Sequence, residues 1–339
     1  MRMELLDPRT DDRWADFVGR AERATMFHHP LWLELLSARY RYEFAASCLI
    51  DDGGRVVAGL PWARIESRLT GRRLVALPFS DACPPLSDGA SEEELAAAVD
   101  EHRRETGLGL EVRWRMESLP GETVQRYWRH TLPLEPDADA VARRASSGIR
   151  RGVSKARRER LLTFERRTDA GALDAFYRLH LLTRRHQGVP TQPKRFIDGL
   201  RELFAGGHGF VALVSDDGRP IAAAVFLQLR DHLIYKYGAS DRSALARRPN
   251  NLLFAEVIRW ACESGLRELD FGRTDLDQEG LKQFKRGWGA EEEPLHHTYA
   301  GMEAPSGGDS RAQRLLAPVI CHSPPGVGRL FGALYRHFG

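Results

Sequence analysis

The sequence predicts an α/β (α+β) protein of two tandem domains, each a mixed, mainly antiparallel sheet flanked by helices. Three observations carry that expectation. At 339 residues the chain is long for one core and comfortable for two. Its halves share a strand, an acidic glycine turn and a returning strand, CLIDDGGRVVAGL (Cys48–Leu60) beside ALVSDDGRPIAAAV (Ala212–Val225). The order helix, hairpin, strand, helix, strand in the second half suits such a sheet better than a doubly wound parallel one.

In the first half, Trp14–Ala24 and Pro30–Tyr40 read as helices, the second with Pro30 at its first position. Phe44–Ile50 and Val56–Trp62 form a hairpin about Asp51-Asp52-Gly53-Gly54, residues that tolerate positive φ. A strand over Arg73–Phe79 leads into Ser80–Leu86, where Asp81 stands between apolar flanks. Helix Glu92–Thr106 and a strand around Leu110–Arg115 follow. In the second half, Lys194–Phe204 is an amphipathic helix, and Phe210–Val214 and Ile221–Leu229 are strands about Asp216-Asp217-Gly218. Strand His232–Tyr237, helix Asn251–Ser264 and strand Leu266–Phe271 complete the unit.

Between the halves, Val141–Arg160 holds eight basic residues and one acidic, with Ile149, Val153 and Ala156 at i, i+4 and i+7. A helix here docks by a thin apolar stripe and presents Arg150, Arg151, Lys155 and Arg158 either to solvent or to a polyanion. With so few acidic partners at i+4, an anionic ligand is favoured, the phosphate of a small substrate or of RNA. After Gly301, EAPSGGDS reads as a linker. The last piece, with Val327, Leu330, Phe331, Leu334, Tyr335 and Phe338 on one face, either packs on its own domain or makes peripheral membrane contact.

Bulk composition excludes several classes. A net charge of +3 says little about partners. Cys48, Cys83, Cys262 and Cys321 are far apart, which argues against a disulfide framework or structural zinc and fits a cytoplasmic protein. The amino terminus lacks a signal core, and no run approaches about 18 apolar residues. His28-His29 and His296-His297 lack metal-site spacing, so no metal is expected. Nucleophile-elbow, Walker A and dinucleotide motifs are absent.

The chemistry converges on Glu268–Gly289. In a helix from Gly280, Leu281, Phe284, Lys285 and Trp288 share one stripe, placing a lysine among large apolar side chains. Such an ammonium either snorkels past Trp288 to water or needs an anionic partner, a developing oxyanion or a depressed pKa. Asp270, at a strand end before Gly272-Arg273-Thr274, occupies a position typical of functional groups. Tyr235 and Tyr237 alternate on their strand, lining a cleft or filling a core.

Asp270-Phe271-Gly272-Arg273-Thr274, Gly280-Leu281, Phe284-Lys285 and Trp288-Gly289 together resemble the C-terminal signature of FemABX-type proteins and relatives in the GNAT acyltransferase superfamily. Gly148-Ile149-Arg150-Arg151 and Lys155-Ala156-Arg157-Arg158 are similar to the basic segment between their two domains. Leu77-Pro78-Phe79-Ser80-Asp81 and the final LYRH also resemble a subgroup associated with exopolysaccharide genes. The resemblance implies tandem GNAT-like domains, at 1–140 and 141–302 with a tail at 303–339, and transfer of an acyl group to an amine. It implies an aminoacyl-tRNA donor, a peptide or cell-wall-precursor-like acceptor and no tightly bound cofactor, with Lys285 stabilising the transition state.

On this reading Lys285, Asp270 and Tyr237 are catalytic candidates, and Tyr235, Arg273, Thr274, Phe284, Trp288 and Asp81 bind substrate. Arg150, Arg151, Lys155, Arg158, Arg247 and Arg248 meet donor phosphate or RNA. Arg247-Arg248-Pro249-Asn250-Asn251 lacks the glycines of a CoA cradle, and Pro249 has no amide hydrogen, which favours tRNA over acyl-CoA. The alternatives are an acyl-CoA- or acyl-carrier-dependent N-acyltransferase of envelope polysaccharide or lipid assembly, and a non-catalytic RNA-binding or scaffold protein.

Overall fold

The structure is a computed structural model that describes residues 1–67, 70–159, 161–305 and 320. Two compact units emerge, one holding Met1–Tyr127 and the segment that begins at Pro294, the other Trp128–Glu293. The boundary lies upstream of residues 140/141. The expected tail helix and Cys321 lie outside the described residues, while Cys48, Cys83 and Cys262 are free and buried.

Unit 1 begins with β1 (Arg2–Leu6), α1 (Asp12–Arg20) and α2 (Pro30–Tyr40), followed by β2 (Glu43–Ile50), β3 (Val56–Ser67) and β4 (Gly71–Ala76). A short β5 (Leu86–Ser87), α3 (Glu92–Thr106) and β6 (Gly109–Val112) follow. Strands β1 to β4 pair antiparallel in sequence, and β6 returns parallel to β4. Helix α3 supplies that crossover. Its start is fixed by a capping box between Ser91 and Glu94, and its end by Gly107 in the left-handed conformation.

The chain enters unit 2 through β7 (Glu122–Pro133), then α4 (Ala138–Arg144), α5 (Ser147–Arg158) and β8 (Leu162–Arg167). Next come α6 (Ala170–Gln187), α7 (Lys194–Ala205), β9 (Gly209–Asp216), β10 (Arg219–Leu229) and β11 (His232–Ser240). Helix α8 (Pro249–Glu263), β12 (Glu268–Asp275), α9 (Glu279–Gly287) and β13 (Glu291–Ala300) follow. Strands β8 to β11 pair antiparallel in sequence, and β12 lies parallel to β11. This repeats the pattern of unit 1, with α8 in the place of α3. Beneath the sheet, Phe226, Phe254, Phe271 and Trp288 form part of one apolar core.

Two differences from the sequence expectation matter. The basic segment is two helices rather than one, because Ser146 leaves the helical path and its hydroxyl accepts from the Ile149 amide to cap α5. Helix α6 and strands β1, β7, β8 and β13 were also not assigned from sequence.

The parallel pairing of β11 and β12 covers Ile234 against Asp270 but neither strand beyond them. Lys236 is an extra residue in β11: Val225 faces Tyr237 while Phe226 faces Tyr235. A bulge of this kind bends and twists its strand. The pairing thus stops toward the carboxyl ends of two parallel strands, the side on which α/β sheets place their ligands.

Candidate active site

Helix α9 carries the central side chain. Lys285 is only 2% exposed, whereas Leu281 on the same expected stripe is 38% exposed. The ammonium Nζ donates to the carbonyls of Gly272 (2.8 Å) and Arg273 (3.1 Å) at the end of β12. Two backbone dipoles therefore meet the cost of bringing this charge inside. Gly272 has φ of +70°, which points its carbonyl where an ordinary strand residue would not.

The same glycine joins Lys285 to Asp270, whose Oδ1 accepts from the Gly272 amide at 2.6 Å. Asp270 is buried, and Arg129 Nε donates to its other oxygen at 2.9 Å. Burial pushes the carboxyl up, but Arg129, His232 and the Gly272 amide together hold it below its ordinary value. Arg129 also bonds Glu268 (3.1 Å) and Glu293 (2.7 Å). His232, Glu268 and Asp270 have the spacing of metal ligands, but the guanidinium bonds both carboxylates.

On the opposite face of β7, His130 is fully buried between Glu292 Oε2 (2.9 Å from Nε2) and Thr274 Oγ1 (3.4 Å from Nδ1). Burial first, then the charge of Lys285, lowers its pKa against the pull of Glu292. Tyr235 packs on Phe226 and Phe254, and burial pushes its phenol up to about 12. Tyr237 sits among Phe176, His180 and Phe196. Trp288 is buried against Phe254 and Phe284, while the side chain of Arg273 is exposed. Asp81 lies in unit 1, after β4.

The outer side of α9 forms one wall of a cavity of about 490 Å³, completed by α5 and the start of α8. Arg151, Lys155 and Arg248 give it positive charge, and Ile149 and Phe284 an apolar wall. The first turns of α5, α8 and α9 contribute Gly148, Asn251 and Gly280, so three positive helix ends border the space. Close packing maintains it. The Ser146 backbone amide donates to the Gly287 carbonyl at 2.8 Å, and a Cβ on Gly152 would come to 2.8 Å from the side-chain Nδ2 of Asn251.

Of the basic residues expected to meet phosphate, Arg151, Lys155 and Arg248 line this cavity. Arg150 instead reaches back to the carbonyls of Arg143 and Ala145, capping α4. Arg247 pairs with Asp216, and Arg158 is exposed on α5 outside the lining. Lys285 lies behind the wall, next to Phe284. Arg129, His130 and Glu292 were not singled out from sequence: their partners are 139 to 164 positions away.

Comparison with known proteins gives this geometry its class. Residues 143–286 match the family model for an acetyltransferase (GNAT) domain. No curated protein matches the chain. Among solved structures, FemX matches with TM-score 0.70 and 15% identity, covering 88% of this chain and 96% of FemX. The C-terminal domain (DUF2156) of a candidate lysylphosphatidylglycerol synthetase from Agrobacterium fabrum matches with TM-score 0.59 and 14% identity, covering 91% and 94%. A tandem GNAT protein from the clavulanic acid biosynthesis pathway matches with TM-score 0.51 and 12% identity, covering 89% and 100%. Residues 143–286 thus match a GNAT acetyltransferase domain, which favours a transferase over the non-catalytic alternative, and the chain has a fold similar to that of FemX and of a tandem GNAT protein.

Proposed function

We propose that the chain transfers an aminoacyl group from aminoacyl-tRNA to an amine of a peptide or cell-wall-precursor-like acceptor. The observation that carries this reading is the basic cavity along α9. Arg151, Lys155 and Arg248 match a phosphate backbone, and Phe284 offers a stacking surface for a base. The likeness to FemX and to a lysylphosphatidylglycerol synthetase domain supports aminoacyl over simple acyl transfer.

The reaction is direct attack. The acceptor nitrogen bonds to the ester carbonyl carbon, the carbon–oxygen bond to the ribose breaks, and the proton lost by the amine balances the one gained by the ribose hydroxyl. Negative charge collects on the carbonyl oxygen between these events, and Lys285 supplies the preorganised positive charge that favours it. Asp270, held ionised by Arg129, is a weak proton acceptor; its role in this scheme is to anchor Gly272.

The test is to offer labelled aminoacyl-tRNA and acyl-CoA separately with a pool of amines and to identify any amide by mass spectrometry. Amide formed from aminoacyl-tRNA supports the reading. Amide formed only from acyl-CoA overturns the tRNA donor and supports the acyl-CoA-dependent N-acyltransferase alternative.

A further inference from the structure

Arg129 and His130 are neighbours on β7 and so point to opposite faces. Arg129 is consumed by carboxylates, but His130 has a different setting. A carboxylate can only accept, so the ring proton resides on Nε2, facing Glu292, and Nδ1 accepts from the hydroxyl of Thr274. Thr274 directly follows Gly272 and Arg273, the two residues whose carbonyls hold the Lys285 ammonium. Glu292, His130 and Thr274 thus form a string that ends on the segment carrying the acceptors of the lysine.

We propose that His130 is a positioning residue for Lys285: held by Glu292 through Nε2, it fixes Thr274 through Nδ1 and so sets the two carbonyls that orient the ammonium. The proposal rests on the reading of Lys285 as the cation that acts on the developing oxyanion. The charged groups facing the ring are Lys285 and Arg286 from α9 and Glu292 from β13; β12 contributes the neutral Thr274. Arg286 is itself 3.8 Å from Glu292. A neutral imidazole is compatible with this company. A protonated one has a donor at Nδ1, cannot accept from Thr274, and sets a second positive charge beside Lys285. Acid therefore releases the segment.

The experiment compares wild type, His130→Gln and Lys285→Met in the transfer assay from about pH 5 to about pH 8.5. Wild type loses kcat on the acid side. His130→Gln, which cannot ionise, loses that acid limb, and at the alkaline end its kcat is lower by about tenfold to a hundredfold with donor KM within about twofold. A His130→Gln enzyme with the acid limb and kcat of wild type overturns the proposal while leaving Lys285 in place. A Lys285→Met enzyme that transfers at the wild-type rate instead overturns the reading of Lys285. NMR provides an arm that needs no transfer: Lys285→Met raises the pKa of His130, and His130→Gln shifts the Lys285 Nζ resonance. If neither signal moves, the proposal fails.

Discussion

Asp270 and Lys285 are joined through a single peptide unit on each side of Gly272: its amide donates to Asp270 Oδ1 at 2.6 Å, and its carbonyl accepts from Lys285 Nζ at 2.8 Å. Opposite charges that would attract directly are held apart by a glycine whose positive φ turns its carbonyl to the lysine. A Cβ at this position strains the backbone by about 1 to 2 kcal/mol. Gly272→Ala is therefore expected to lower stability by that amount in urea unfolding and to reduce transfer further than the stability loss explains. Transfer unchanged in a folded Gly272→Ala protein separates the turn from the chemistry.

Substitution of Lys285 tests the same linkage from its other end. Lys285→Met fills the space but leaves the carbonyls of Gly272 and Arg273 without this donor, a loss of about 1 to 3 kcal/mol. The rate is expected to fall about 100-fold to 1000-fold, the effect of removing one oxyanion donor. Lys285→Arg does not restore it, because the planar guanidinium cannot take the place of a compact ammonium between these two oxygens. Single-turnover rates with a common donor measure both.

Sequence made some of this visible and hid the rest for physical reasons. Helix periodicity put Lys285 beside Phe284 and Trp288 but left open whether its ammonium reached water; the structure buries it on α9, with Trp288 capping the helix. The exposure of Leu281 was not legible, since the stripe says which face is shared and not how far a neighbouring element covers it. The hairpins at Asp52-Gly53-Gly54 and Asp217-Gly218 were legible from turn chemistry alone. Arg129 and His130 were hidden because β7 lacks a clean alternation: residues 124 to 129 are all half-buried. Ser146 was hidden as well, as its capping role emerges only once α4 has stopped.

Arg129 makes a prediction about pH. In the native protein the Asp270 pKa is depressed, so its ion pair adds stability above the unfolded-state pKa, and that stability is lost as pH falls through the folded value. Arg129→Met reverses the sign. With its main cation gone, burial dominates and raises the carboxyl, so the buried charge is tolerated less as pH rises. Breaking such a pair costs about 3 to 5 kcal/mol. Urea unfolding is expected to show a larger deficit relative to wild type near pH 8 than near about pH 5. A deficit independent of pH shows that Arg129 contributes packing rather than charge.

The cavity yields the prediction that most directly tests its ligand. Arg151 and Lys155 on α5 and Arg248, the residue before α8, line one space, so each is expected to meet a different phosphate. Changing any one to Gln lowers tRNA affinity for all amino-acid identities alike, because backbone charge carries no sequence information. It also reduces the slope of log affinity against log salt by about 0.7 to 0.9 for each phosphate left without its cation. Arg158→Gln, exposed on α5 outside the lining, is the control and leaves the slope close to that of wild type. Filter binding or anisotropy with a labelled acceptor stem across a salt series provides the measurement. Equal slopes for all four variants place the RNA elsewhere, since a guanidinium that releases no counterion is not neutralising a phosphate.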